Sequence, residues 1–583
     1  LTPQICVLDA GGQYCHLIAR KVRELGVTAE VRASETPASE LAACRGVIIS
    51  GGPASVYEEG SPRIDPALLQ AGVPVLGICY GQQLMAYFGG GRVSKGEKGE
   101  YGFAELERAG TSALFAGVPE RYPVWMSHRD TVTGVPEGFA VLASTKTCAI
   151  AAMGHEASKL YGVQFHPEVV HTAHGTDVLR NFLFGIGGCA QDWNPVGQVQ
   201  ALEEQIRQQV GPRNVFFFVS GGVDSTVAYT LCLRALGPER VWGTFVDTGL
   251  MREGETEFVE EIFHQLGATH FSVERAAGRF LQALAGVVEP EQKRKIIGQE
   301  FVAVQEDVLQ RGHFLDAEWI LGQGTIYPDT IESGGTAKAE VIKTHHNRVD
   351  GIQRLLEAGR IIEPLTQFYK DEVRAVGREL GLPEEFLERH PFPGPGLGIR
   401  CLCAPVEQLP EHSAGGWILP LRTVGVQGDS RSYRAVMLFE EYPQDFAAAT
   451  EAVNHSERVN RAVALVGSHA LVEAMSSGPA FLTGERLDRL RRADAIVRRL
   501  SLSSGFEREV WQFPVVLVPL GTAERPDSVV LRPIQSVDGM TAAAVRMERA
   551  LLDRMRDELL ALPGVCAVLY DMTHKPPGTI EWE

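Results

Sequence analysis

The chain has no stretch of about 18 consecutive apolar residues, the length a membrane-spanning helix needs, so no such helix is expected. Its start has no basic segment followed by an apolar one. Ile5–Leu8 already reads as a strand, and no export signal is expected. Cysteine is sparse and scattered. The ten residues at positions 6, 15, 44, 79, 148, 189, 232, 401, 403 and 566 do not form the dense framework of a disulfide-stapled domain. A reducing, cytoplasmic setting is the expectation. Positive charge is outnumbered, with 55 Lys and Arg against 73 Asp and Glu, a net charge of −18. Polynucleotide affinity rests on many basic groups, so a nucleic-acid surface is not expected. A small phosphorylated ligand needs only a local pocket and stays open.

What is present suits several globular domains. The 583 residues correspond to three or four at about 100–200 residues each. The hydrophobic share of 44% is enough to bury a core in each. Many of the 62 glycines cluster after apolar runs, where active-site turns of α/β proteins occur.

Residues 1–192 alternate apolar runs with helical patterns. Ile5–Leu8, Gly46–Ile49, Val73–Ile78 and Leu160–Phe165 read as buried strands, and Tyr14–Leu25 as an amphipathic helix. The expectation is a doubly wound, mostly parallel sheet. A boundary is expected at Asp192–Pro195. Residues 193–405 repeat the style, with Val215–Val219 and Val241–Val246 as strands and Thr226–Leu236 as a helix. They end in the Pro/Gly-rich stretch Pro391–Gly396, which suits neither helix nor central strand. Residues 406–583 read as an α+β region with two repeated units. Leu421–Val424 resembles Leu531–Ile534, and Val459–Ala464 resembles Val565–Tyr570.

The first chemical constellation is Gly77-Ile78-Cys79-Tyr80-Gly81. It lies between an apolar strand and a helical pattern. A nucleophile between glycines at such a junction has elbow geometry, and a helix N-terminus favours the thiolate. His166 and Glu168 alternate at the end of another strand and share one side, as a base and its orienting carboxylate do. Ser50–Pro53 and the Tyr80 N–H offer amides to an oxyanion. A metal cluster of His166, Glu168, His171 and His174 is the alternative, but it leaves Cys79 and the oxyanion loop without a role.

These residues resemble a class I glutamine amidotransferase. The resemblance implies Cys79, His166 and Glu168 as a catalytic triad. It also implies glutamine and oxyanion contacts from Gly51, Gly52, Tyr80, Gln83, Ser127 and His128. Met126–Asp130 matches the family's glutamine-clasping loop, with Arg129 where glycine is usual. Asp9–Tyr14 matches its opening motif with two small departures.

The second constellation is Ser220-Gly221-Gly222-Val223-Asp224-Ser225-Thr226, after one strand and opening a helix. Successive amides there form an anion nest. The lysine of the common P-loop is missing. Asp224 beside phosphate suits Mg²⁺. The heptapeptide resembles the ATP pyrophosphatase loop. That implies ATP as co-substrate, Val246 near adenine (with Thr248 where Asn or His is usual) and Lys343 as a phosphate clamp. Lys370–Arg374 reads equally well as an ordinary charged helix start.

The segments Glu289–Gly298, His390–Leu397 and Lys575–Glu583 are similar to the glutamine-hydrolysing GMP synthetase family. The resemblance extends over essentially the whole chain. It implies XMP as acceptor, with Arg294 and Lys575 on its phosphate and Asp429, Gln512, Ile580 and Glu581 lining its pocket. The third region carries roughly a hundred residues more than the family's short form. Two units in one chain would pair with each other, so both a monomer and a homodimer are open. Rival readings are an amidotransferase acting on a carboxylate or on tRNA uridine, and a binding protein with decayed sites. The XMP-type motifs and the net charge disfavour the former, and the intact constellations disfavour the latter.

Overall fold

The structure is a computed structural model. It describes residues 3–583 except 13, 96–99, 170, 328, 330–349, 391, 414, 428, 429, 455, 457 and 537–541. The chain divides into two compact units, the first running through Gln198 and the second starting at Val199.

The first unit is built on a nine-stranded sheet. Its order is Ala29–Ala33, Ile5–Asp9, Gly46–Ile49, Val75–Ile78, Leu160–Val163, Ala152–His155, Ala140–Ser144, Glu100–Arg108 and Arg121–His128. The first five strands run parallel. Every pairing beyond Leu160–Val163 is antiparallel. The sheet is therefore mixed, which corrects the mostly parallel expectation. Continuous apolar runs mark strands covered on both faces. Arg121–His128 instead alternates exposed and buried residues, and Glu100–Arg108 is solvated along most of its length, so neither shows such a run. In the parallel half, Ile5 and Val7 enter one core with Ile18 and Val22 of the helix Cys15–Glu24. Cys6 and Leu8 enter the opposite core with Leu84 and Met85 of the helix Tyr80–Phe88.

The second unit contains a wholly parallel five-stranded sheet, in the order His270–Arg275, Val241–Asp247, Asn214–Val219, Trp319–Gly322 and Ile361–Ile362. The chain adds strands to one side of Asn214–Val219 and then crosses to the other. Ligands of open α/β sheets bind at the carboxyl end of such a switch point, and Ser220 follows directly.

The same unit holds a seven-stranded mixed sheet. Its order is Glu411–Ser413, Gly416–Gln427, Ser430–Phe439, Val459–Ser468, Val565–Asp571, Asp527–Leu531 and Val515–Val518. Val459–Ser468 and Val565–Asp571 pair antiparallel at its centre. Each is flanked by a parallel strand and then an antiparallel one. The matched segments Val459–Ala464 and Val565–Tyr570 thus occupy corresponding strands. Leu421 and Leu531 do not. Leu421 is two strands from the centre and Leu531 one, so that match is corrected.

Candidate active sites

Cys79 ends the strand Val75–Ile78 and caps the helix Tyr80–Phe88 with φ 52° and ψ −104°. A positive φ in a non-glycine residue marks strain held by its surroundings. Gly81 is required beside it, because a Cβ there would lie 2.3 Å from the Ile49 carbonyl oxygen. The Cys79 amide is used up on Val163 O at 2.7 Å. Its thiol faces Ser127 O at 3.6 Å and receives the Gln164 side-chain amide at 3.5 Å.

His166 Nδ1 lies 2.7 Å from Glu168 Oε1. Glu168 is fully buried and His166 nearly so. Burial opposes charge on the imidazole. The Glu168 carboxylate and Cys79 outweigh it and hold the His166 pKa well above its ordinary value. The backbone under the ring is fixed as well, since Thr172 Oγ1 donates to His166 O at 2.6 Å. Gly51 approaches both Cys79 and His166. A Cβ on it would be 3.1 Å from His166 Cε1 and 3.4 Å from Cys79 Cβ. His171 packs on Trp125 and His174 bonds Asp177, so these histidines do not join His166 in a cluster.

A cavity of about 580 Å³ joins Gly51, Gly52, Cys79, Gln83, Ser127, His128 and His166. Tyr80 turns its hydroxyl away, to Pro62 O at 2.9 Å, and contributes its amide at the helix start. Gln83 Nε2 donates to Asp130 O at 2.7 Å, so it holds the loop Met126–Asp130. His128 is held by Asp130 O and Glu100 Oε2, each at 3.1 Å, and burial lowers its pKa. Gln164 and Glu100 were missed in the sequence, and Asp130 stood in the loop Met126–Asp130 without an assigned contact. Their contacts cross between strands, and no local spacing reveals them.

In the second unit the loop Ser220–Thr226 is braced by its own hydroxyls. Ser220 Oγ and Ser225 Oγ are 2.9 Å apart, and Thr226 Oγ1 donates to Gly222 O at 2.9 Å. Thr226 is fully buried and ties the loop together, so its hydroxyl is not offered to the cavity. Gly221 has φ 74°, which glycine alone adopts freely. A cavity of about 680 Å³ is lined by Ser220–Asp224, Val246, Arg294 and Phe392–Pro395. It thus gathers motifs from four distant segments.

The cavity also reveals cations, of which spacing left Lys370 ambiguous and marked neither Arg389 nor Arg252. Lys370, at the start of the helix Lys370–Glu379, pairs with Asp224 Oδ2 at 2.6 Å. Arg389 pairs with Glu255 at 2.6 Å. Arg252 lies 4.5 Å over the Phe392 ring and 3.2 Å from Asp494. The other Asp224 oxygen, Oδ1, is buried without a hydrogen-bond partner among the described residues. It fits as a single protein oxygen for Mg²⁺, which takes its other ligands from phosphate and water. Among the described residues no group of three or more His, Cys, Asp or Glu is set to hold a metal.

Of the described residues expected at the acceptor, Gln512, Lys575, Ile580 and Glu581 are not part of this lining. Arg294 reaches it, and its guanidinium donates to the Glu583 carbonyl. Glu581 is bound by Arg400 through two bonds of 2.9 and 2.7 Å. Ile580 O accepts from Arg532 at 2.9 Å. The backbones of Lys575 and Ala542 bond each other, and Gln512 N bonds Ile534 O. Two buried arginines, Arg461 and Arg532, share Asp571 Oδ2 at 3.0 and 2.7 Å and grip the carbonyls of Thr579–Glu581. Lys343 and Asp429 lie outside the described residues.

Three family models match: glutamine amidotransferase class-I over residues 6–186, NAD synthase over 197–331, and GMP synthase C terminal domain over 501–582. The glutamine-hydrolysing GMP synthase of Symbiobacterium thermophilum is 43% identical, over 99% of each chain. That of Caldicellulosiruptor saccharolyticus is 41% identical, again over 99% of each. The "probable GMP synthase" of Leptospira interrogans is 40% identical, over 100% of this chain and 99% of its own.

Proposed function

The chain belongs to the glutamine-hydrolysing GMP synthase family, and from that premise we propose how its residues divide the work. The protein makes GMP from XMP with glutamine as nitrogen donor. In the first unit, the Cys79 thiolate attacks the side-chain carbonyl carbon of glutamine. Amides of Gly51, Gly52 and Tyr80 receive the oxyanion. Gln83, Ser127 and His128 hold the substrate. His166 protonates the departing ammonia and then takes a proton from the water that hydrolyses the thioester. Glu168 keeps the imidazole oriented and charged.

In the second unit, the loop Ser220–Thr226 receives the ATP phosphates and Val246 borders the adenine. Asp224 would hold Mg²⁺, which would neutralise phosphate charge. Lys370 is released from Asp224 to the phosphates, alongside Lys343. The C2 oxygen of XMP attacks the α-phosphorus and pyrophosphate leaves. Ammonia then adds at C2 and AMP leaves. Arg294 and Lys575 take the XMP phosphate, and Asp429, Gln512, Ile580 and Glu581 border the nucleotide. One observation carries this reading: the 680 Å³ cavity joins the phosphate loop to Arg294 and the Pro-rich loop.

We assign residues 1–192 to the amidotransferase, 193–405 to the ATP pyrophosphatase and 406–583 to an acceptor and pairing region, in a cytoplasmic enzyme. In that last region the strand order about the central antiparallel pair supports two copies that pair within one chain. Such a chain acts as a monomer. Light scattering that gave an obligate dimer without ligands would overturn this point.

The deciding assay mixes the protein with XMP, ATP, Mg²⁺ and glutamine. GMP and pyrophosphate are expected in equal amounts. Orthophosphate release, or turnover without XMP, would defeat the assignment.

A further inference from the structure

We propose that Cys6 and Cys44 form a dithiol that a hydroperoxide converts to a reversible intramolecular disulfide. Their Sγ atoms lie 3.0 Å apart, and both are free thiols. That separation is shorter than ordinary contact between two sulfurs and needs to close by about 1 Å to reach bonding distance. The neighbourhood holds both residues in place. Cys6 sits in the strand Ile5–Asp9, paired with Glu30 on one side and Val47 on the other. Cys44 stands just before the strand Gly46–Ile49, with its amide on Leu41 O at 3.0 Å.

The pair also has an attacking and a resolving member. A hydrogen bond from Cys6 and the charge of Arg32 bring the Cys44 thiol down to about 7, against the opposing effect of burial. Cys6 moves up, first through its bond to Cys44 and then through burial. Burial pushes Cys15, Cys232 and Cys401 upward, so none of them competes with Cys44 as the thiolate that meets the peroxide. Cys44 is 9% exposed, whereas Cys6 is fully buried, so the oxidant meets Cys44 first.

The chemistry balances with one hydroperoxide. The Cys44 thiolate attacks the terminal peroxide oxygen. The O–O bond breaks, an alcohol leaves, and Cys44 carries a sulfenic acid. The Cys6 sulfur then attacks the Cys44 sulfur, the S–O bond breaks and water leaves. Two thiols are oxidised, and the peroxide is reduced to alcohol and water. The new bond joins the starts of two strands that lead toward Gly11 and Gly12 and toward Gly51 and Gly52, walls of the Cys79 cavity.

The test uses the full chain with Cys79→Ser, which removes the competing thiol. The protein is treated with tert-butyl hydroperoxide, unfolded, alkylated and digested. The expected product is a Cys6–Cys44 cross-linked peptide, with two fewer alkylated thiols per chain, reversed by dithiothreitol. With Cys6→Ser added, dimedone should tag Cys44. Full alkylation of both residues after peroxide, or a cross-link to another cysteine, would overturn the proposal. Because the wild-type pair is read directly, a variant that fails to fold does not decide the outcome.

Discussion

The cavity around Cys79 draws its reacting groups from short segments at the ends of strands in one sheet. The cavity around Ser220–Asp224 draws on segments as distant as Val219 and Pro395. In the first, the charged partner is already in place, buried and bonded, with His166 on Glu168. In the second, the cations are parked on carboxylates, Lys370 on Asp224 and Arg389 on Glu255. The difference follows from the ligands. A neutral amide brings no charge, so the protein must supply a complete proton relay in advance. In the proposed function, ATP brings a polyanion that displaces the parked partners and completes the site. On that reading one site is preassembled, and the other is finished by its substrate.

The largest effect should separate the two cavities outright. Cys79→Ala should lower glutamine-dependent GMP formation by at least about 10³-fold, since no other group can form the thioester. GMP formation from ammonium salt should stay within about twofold. Parallel assays with the two nitrogen sources read this directly. Equal loss of both would mean that Cys79 is a structural residue shared by both activities.

Asp224→Asn is the converse. Removing its charge strands Lys370 and leaves only a neutral amide oxygen, a weaker ligand, for Mg²⁺. Turnover should fall about 10²–10³-fold with either nitrogen source. Glutaminase activity measured alone should hold. A variant that lost the glutamine reaction only would break the comparison, because Asp224 would then serve the first cavity.

Glu168→Gln tests preassembly through pH. The carboxylate helps to hold the His166 pKa above its ordinary value, so the imidazolium survives to higher pH. Without that negative charge the pKa falls. The alkaline limb of glutaminase kcat/KM should therefore move to lower pH, with kcat down about 10²-fold. An unmoved limb would show that the charge on Glu168 does not set the titration of His166.

How far each cavity was legible in sequence follows the same divide. Cys79, His166 and Glu168 stand in local patterns whose spacing carries their chemistry, and the fold places them together. The loop Ser220–Thr226 was equally plain as a glycine-rich turn between a strand and a helix. Lys370 was not, because a lysine at a helix start looks the same whether it meets solvent or, as here, Asp224 from 146 positions away. The antiparallel half of the first sheet was missed because Glu100–Arg108 and Arg121–His128 expose residues all along one face and never form an apolar run. Glu581 was legible as a motif residue. Its bond to Arg400 was not, since the pairing is 181 positions long.

The smallest expected effect probes what the phosphate loop consists of. Gly222 has φ −81°, which any residue accepts, and an added Cβ would meet only Ser220 Oγ at 3.2 Å. Gly221 next to it has φ 74°, and a Cβ there would lie 2.9 Å from Val259 Cγ2. Gly222→Ala should therefore change unfolding free energy by no more than about 0.5 kcal/mol, while Gly221→Ala should cost about 1–3 kcal/mol through its strained conformation. Urea unfolding of the two variants gives both numbers. Gly222→Ala keeps every backbone N–H of the nest. If those amides do the binding, KM for ATP should rise only a few-fold and kcat should hold. A collapse of kcat with stability intact would mean that the phosphates press closely on the Gly222 Cα, and that bare backbone surface, as well as its amides, forms the site.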